Sequence, residues 1–351
     1  MTLPDSPGPD SGRVDSQGMW EATAGLPEQM AAALAAATAG DRPAPSGPVT
    51  NVVACGMGGS GIAGDVLAAV AGPELPVPVT VVKSYDVPGF VGPDSLVFAV
   101  SCSGNTEETV AAATAAGQAG AQVVAVTGGG RLGELAGDHG WPVFDVPADI
   151  PQPRAALGAM AVPPLVVLEQ AGLLDGVTRR VAATVDSLSR RRDRLVQPGN
   201  LAEDLARRIG RTVPLVYGEG PAAVAAQRWK TQVNENAKSP AFWSALPELC
   251  HNEVAGWGQG GDVTRQVFTL VNLRHGGEHP QVSRRFALVA DVLLEVVADI
   301  VEVRADGADP MAQLFDLVMV GDFVSLQLAA REGTDPGPVP VLDDLKRQLR
   351  Q

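Results

Sequence analysis

Along most of this chain, apolar residues fall in short unbroken runs, and these alternate with longer stretches in which small and apolar residues recur at helical spacing. Short apolar runs bounded by glycine and proline, each followed by a helical stretch, are the pattern of a parallel sheet buried on both faces. Runs at 49–54, 77–83, 96–100, 123–126 and 143–146 predict a first unit of about five strands. Runs at 213–217, 266–273 and 300–303 predict a second. Helices are expected over 18–39, from about 58 to 71, from about Thr106, from about 154 to 172, over 175–206 and 222–238, and over 282–297 and 310–331. The fold class is therefore α/β, with two doubly wound parallel-sheet subdomains and flanking helices.

Proline and glycine punctuate the chain into segments. The expected division is a flexible tail at 1–17, N-terminal helices and a Pro-rich linker at 18–48, a first subdomain at 49–174 and a helical connection at 175–210. A second subdomain at 211–335 and a C-terminal segment at 336–351 follow. The second unit opens with the turn Gly218-Glu219-Gly220-Pro221, which lacks the hydroxyls of the first and reads as a degenerate repeat. Arg190-Arg191-Arg192 reads as a solvated face or a partner surface.

Composition narrows the function. The 351 residues are 45% apolar, enough for a large core, and carry a net charge of −14, which makes nucleic acid and anionic membrane poor partners. Cys55, Cys102 and Cys250 are odd in number and lack paired spacing, which suits a reducing cytoplasm and argues against a disulfide framework or zinc site. The longest apolar runs carry charges or Gly/Pro breaks, so no membrane span is expected, and the Pro/Ser/Asp-rich start does not have the pattern of a signal peptide.

The chemistry concentrates in a few stretches. Val97-Phe-Ala-Val-Ser101-Cys-Ser103-Gly104-Asn105-Thr106-Glu107-Glu108-Thr109 runs from a buried strand through hydroxyls and a glycine into a helix. Free N–H groups at a helix start, with Ser101, Ser103 and Thr106 converging on one concavity, make an anion site. The plain alternative is a capping box from Asn105 to Glu108. Upstream, Gly56-Met57-Gly58-Gly59-Ser60-Gly61 fits the dinucleotide-binding G-x-G-x-x-G spacing. The next strand ends in Lys83-Ser84-Tyr85, however, with no acid for a ribose, so a small phosphosugar held between two Gly/Ser turns is the better reading. Arg154 lies where a helix is expected to begin, a place at which a cation opposes the dipole and an anion would resolve the conflict. Glu235, near a helix end, is placed where a carboxylate's pKa tends to rise, which suits a general base. His251 lies across a bend, where acid and base groups could converge.

Taken together, Gly58-Gly59-Ser60-Gly61, Ser101 through Thr109, Pro153-Arg154-Ala155-Ala156, Asn234-Glu235-Asn236-Ala237-Lys238 and His251-Asn252-Glu253 resemble the bifunctional phosphoglucose/phosphomannose isomerases. That family belongs to the phosphoglucose isomerase superfamily, with two sugar-isomerase (SIS) domains, and the resemblance runs from Gly18-Met19 to Leu345-Lys346. It implies that Gly59, Ser60, Ser101, Ser103 and Thr106 bind the substrate phosphate. It also implies that Glu235 moves a proton between C2 and C1 and that Arg154 stabilises the enediolate. His251, from the neighbouring subunit of a homodimer, would open the sugar ring, and Lys346 would assist at the ring oxygen. No metal or organic cofactor is implied. Cys102 stands where the family commonly has an aromatic, and Cys250 where asparagine is common, so the pocket is altered there. The expected activity interconverts glucose 6-phosphate, and mannose 6-phosphate, with fructose 6-phosphate. A sugar-phosphate sensor without turnover and a dinucleotide-dependent oxidoreductase are the competing readings.

Overall fold

The structure, a computed structural model, describes residues 14–39 and 47–349. Helices α1 (Met19–Ala24) and α2 (Leu26–Thr38) precede a five-stranded, wholly parallel sheet. Its elements run β1 (Asn51–Cys55), α3 (Gly58–Ala71), β2 (Val79–Val82), β3 (Ser95–Ser101), α4 (Glu107–Gln118), β4 (Gln122–Thr127), α5 (Gly130–His139) and β5 (Val143–Asp145). The strand order is β2-β1-β3-β4-β5, so the winding reverses between β1 and β3. Cys55 lies beside Ala99, and Ser101 beside Thr127. Every residue of β1 and β3 is buried, as the unbroken apolar runs require.

Helices α6 (Leu157–Gln170), α7 (Val177–Leu195) and α8 (Leu201–Ile209) lead to the second half. There β6 (Val213–Gly218), α9 (Pro221–Asn236), β7 (Phe242–Ala245), α10 (Gly261–Val267), β8 (Phe268–Arg274), α11 (Pro280–Leu293) and β9 (Asp299–Arg304) build a four-stranded parallel sheet. Its order is β7-β6-β8-β9. The chain closes with α12 (Pro310–Arg331) and α13 (Pro340–Leu349). One continuous apolar core joins the two sheets, from Val52 and Phe98 through Met160 to Trp229, Val271 and Phe315. Helices α9 and α12 pack at its centre. A Cβ on Gly321 would sit 2.1 Å from the Trp229 ring nitrogen, so only glycine permits this approach. The same ring nitrogen donates to Leu317 O at 2.8 Å. Helix α12 is long and apolar enough to cross a membrane by length and composition, which the sequence reading had not singled out; 94% of its apolar window is buried inside the protein.

Several expectations are corrected. The single helix expected over 175–206 is two, because Asn200 caps α8 by accepting from the N–H groups of Ala202 and Glu203. Two of the three arginines read as a solvated face are internal. Arg191 forms a fork on Asp316 at 2.5 and 2.7 Å, tying α7 to α12, and Arg192 is buried and pairs with Glu28 and Asp193. The stretch after Pro240 holds an edge strand, β7, where a bend and a new helix were expected. Of the expected tail, residues 1–13 lie outside the described residues. Its last part is tied down: Asp15 accepts from the N–H groups of Met19 and Trp20, and Gln17 receives Gln152 Nε2 at 2.7 Å. The linker expected at 41–48 lies largely outside the described residues.

Candidate active site

The turns after β1 and β3 meet at the carboxyl edge of the first sheet, where the winding reverses and open α/β sheets bind ligands. Helix α3 starts after Met57 and α4 after Thr106, and neither has a side chain capping its first N–H groups. The capping box is therefore absent. Asn105 instead donates to Ser103 O and accepts from Arg131 N, holding the turn against α5. Uncapped N–H groups at two adjacent helix starts form a cradle for an anion. Gly104, at φ 68°, makes the turn possible, since a Cβ there would lie 1.7 Å from Gly129 O.

The hydroxyls are already ordered. Ser101, fully buried, donates to Thr106 Oγ1 at 3.0 Å, which leaves the Thr106 proton to point outward. Ser103 is exposed and its oxygen accepts from Asn105 N at 3.2 Å, leaving its proton free for a ligand. Ser60 accepts from Cys102 N at 3.2 Å, so it links the two turns, and its proton meets only the Met160 sulfur at 3.3 Å, a weak acceptor. Burial pushes the Cys102 thiol above its ordinary range, and that of Cys250 likewise, so both stay neutral at physiological pH.

Gly59 connects this cradle to the candidate chemistry. A Cβ on it would come within 3.0 Å of Arg154 Cα and Pro153 O, so the arginine turn lies directly against the start of α3. Arg154 sits in a short 3-10 turn, Pro153–Ala155, ahead of α6 rather than in that helix. Its side chain reaches the carboxyl end of α9, where a cation agrees with the dipole. All five guanidinium N–H groups are engaged: Nε on Asn236 Oδ1 at 2.7 Å, Nη1 on Gln152 Oε1 at 3.2 Å and Glu235 Oε2 at 3.4 Å, Nη2 on Pro336 O at 2.5 Å and Gly337 O at 2.7 Å. The tight bonds all go to neutral oxygens. The only carboxylate is the distant, partly exposed Glu235. Burial, and the neighbouring Arg228, lower the Arg154 pKa despite Glu235. Arg228 itself is neutralised by a buried fork on Asp322 at 3.0 and 2.7 Å. The result is a buried, pre-oriented cation whose charge is balanced only by the long contact with the partly exposed Glu235.

His251 and Glu235 do not converge within one chain. Glu235 is the penultimate residue of α9, and the end of that helix lines a groove with Thr212 and Val213 at the amino edge of the second sheet. His251 follows β7, whose exit is held at the carboxyl edge by Leu246 N on Gly218 O at 2.9 Å, and it is exposed. The 16-residue helix between the two edges is about 24 Å long. Lys346 lies on α13, a helix without a buried residue. The structure thus brings together Gly59, Ser60, Ser101, Ser103, Thr106, Arg154 and Glu235 and leaves His251 apart from them, while Lys346 is on the helix that follows the Pro336–Gly337 strap. Sequence reasoning missed Gln152, Asn236 and the carbonyls of Pro336 and Gly337 as the frame around Arg154. Asn236 stood in the same polar run as Glu235 and was within reach. Backbone carbonyls 182 and 183 residues away carried no local signal.

This geometry is that of a phosphosugar-handling double α/β protein. The fold matches that of the C-terminal domain of glucosamine-fructose-6-phosphate aminotransferase from Francisella tularensis, with a TM-score of 0.69 and 13% identity over 92% of this chain and 98% of that one. Residues 199–349 match the bacterial phospho-glucose isomerase C-terminal SIS domain family. The chain is 35% identical to a bifunctional phosphoglucose/phosphomannose isomerase of Caldicellulosiruptor bescii, over 95% of this chain and 99% of the relative. It is 34% identical to the enzyme of the same description from Aquifex aeolicus, over 87% and 92%. The chain belongs to the bifunctional phosphoglucose/phosphomannose isomerase family.

Proposed function

We propose that this protein interconverts glucose 6-phosphate, and mannose 6-phosphate, with fructose 6-phosphate through a cis-enediol, without a metal. The observation that carries the reading is the Arg154–Glu235 pair seated against the start of α3, beside a cradle of neutral donors. The phosphoryl group would take the free N–H groups of α3 and α4 and the protons of Ser103 and Thr106, with Ser60 turning from the Met160 sulfur toward it. Moving a proton between C2 and C1 needs one base that reaches both carbons and a cation where the oxygen charge develops. Glu235 is that base. As it takes the proton its own charge falls, and the long Nη1 hydrogen bond, 3.4 Å between heavy atoms, is the one Arg154 can most readily redirect from Glu235 to the enediolate oxygen while staying protonated. The tighter bonds hold the guanidinium still meanwhile. Glucose and mannose phosphates differ only at C2, which is planar in the enediol, so a site that reaches C2 from either face serves both.

Ring opening would fall to His251 of a second copy, because this chain's own His251 is at the far edge of the second sheet. Lys346 would assist at the ring oxygen. The protein would then act as a homodimer in the cytoplasm. In deuterated buffer, after EDTA treatment, the wild-type protein should convert each hexose phosphate and place deuterium at C1 of fructose 6-phosphate or at C2 of the aldose phosphates, and Glu235→Gln should do neither. Retained exchange in that variant, or phosphosugar binding by the wild type without turnover, would overturn the reading. Mixing Glu235→Gln with His251→Ala under conditions that exchange subunits should restore activity above both parents if the sites are composite.

A further inference from the structure

Lys238 is the one non-glycine residue with a positive φ, 54°, among the described residues. It follows Ala237, which caps the carboxyl end of α9. The left-handed conformation just past a helix end is the position that glycine fills at no steric penalty. A lysine there means that the side chain is wanted in spite of the backbone. Its Nζ donates to Glu235 O at 2.6 Å and to Pro336 O at 3.1 Å. Pro336 O is one of the two carbonyls that hold Arg154 Nη2. The lysine therefore stitches the segment bearing the base to the strap that clamps the cation.

The strap is held from its other side too. Asp335 accepts from Ser16 N at 3.3 Å and Gly337 N at 3.0 Å. A Cβ on Gly337 would lie 2.9 Å from Gln17, so the N-terminal segment rests directly on the strap. Burial acts to raise the Asp335 pKa, but the hydrogen bonds from Ser16 and Gly337 and the charge of Lys238 outweigh it and bring it down. Burial, and then Arg154, lower the Lys238 pKa against the attraction of Asp335 and Glu235. Two cations share one carbonyl here without a carboxylate bonded to either Nζ or Nη2.

We infer that Lys238 is a positioning residue for the isomerisation: by fixing Pro336 against the end of α9 it sets the Arg154 guanidinium relative to Glu235. The inference rests on the isomerase reading, and a single substitution separates it from a capping role. Lys238→Gly removes the ammonium and relieves the backbone. If the lysine were only a cap, this variant would match or exceed the wild type in both Tm and activity. If it positions Arg154, Tm stays equal or rises, while kcat falls about ten- to a hundredfold with KM little changed, as displacements near 1 Å do. Lys238→Arg, which can still reach Pro336, should recover part of kcat. A wild-type kcat in Lys238→Gly would overturn the inference. Absence of turnover in the wild type would instead sink the isomerase reading itself, so the two failures are distinct. In the Arg154→Lys background, Lys238→Gly should add little further loss; full additivity would show that the lysine does not work through Arg154.

Discussion

The two sheets share a parallel topology with a reversal of winding beside the first strand, yet they treat that point in opposite ways. In the first half, the turns after β1 and β3 leave two helix starts uncapped and aim neutral hydroxyls into the gap. In the second half, the turns after β6 and β8 close on each other. Glu219 reaches across to His275 at 2.8 Å, and Arg274 is clasped by Glu278 at 2.6 Å and Glu302 at 2.7 Å. A carboxylate stands where the first half would receive a phosphoryl group. Topology alone thus provides a crevice; whether it is a site depends on which side chains are left unpaired there. The second half contributes instead through the end of α9, which supplies Glu235 to its neighbour's cradle.

That contrast can be broken in order of expected effect. The largest separates the two carboxylates: Glu235→Gln should lower kcat by about 10²–10⁴-fold, the usual worth of a general base, while Glu219→Gln leaves kcat and KM unchanged. Equal losses would mean that both crevices act. Next, Thr106→Val removes one outward hydroxyl from the first crevice. A hydrogen bond to a charged group is worth about 1.5–3 kcal/mol, so KM for hexose phosphates should rise by about 10–100-fold, with kcat affected less.

The smallest effect concerns stability. Burial acts to raise the Glu278 pKa, but the Arg274 fork and the His275 N–H outweigh it, so the net position is below the ordinary range. A depressed folded-state pKa stabilises above the unfolded value and loses that contribution as pH falls through the folded value. Glu278→Gln should therefore cost about 1–3 kcal/mol at neutral pH, and the gap to wild type should close in acid. Denaturant midpoints across pH would check this, and a gap independent of pH would contradict it.

Much of this was legible beforehand. The unbroken apolar runs marked eight of the nine strands among the described residues, because parallel strands buried on both faces leave no polar alternation to confuse. Phe242–Ala245 escaped as a short, half-exposed edge strand. The hydroxyl turn and Glu235 were visible because their chemistry is local. The arginine run misled, since Arg191 and Arg192 find Asp316 and Glu28 far along the chain. The separation of His251 from Glu235 within one chain was hidden from the local reading, though implied by the resemblance: 16 residues of sequence cross from one edge of a sheet to the other.

The most direct test is a crystal structure with bound fructose 6-phosphate. The phosphoryl group should lie within hydrogen-bond distance of Thr106 and the starts of α3 and α4, with C1 and C2 beside the Glu235 carboxylate and no sugar phosphate between Glu219 and His275. A phosphoryl group in the second crevice, or a sugar whose first two carbons are remote from Glu235, would contradict the account.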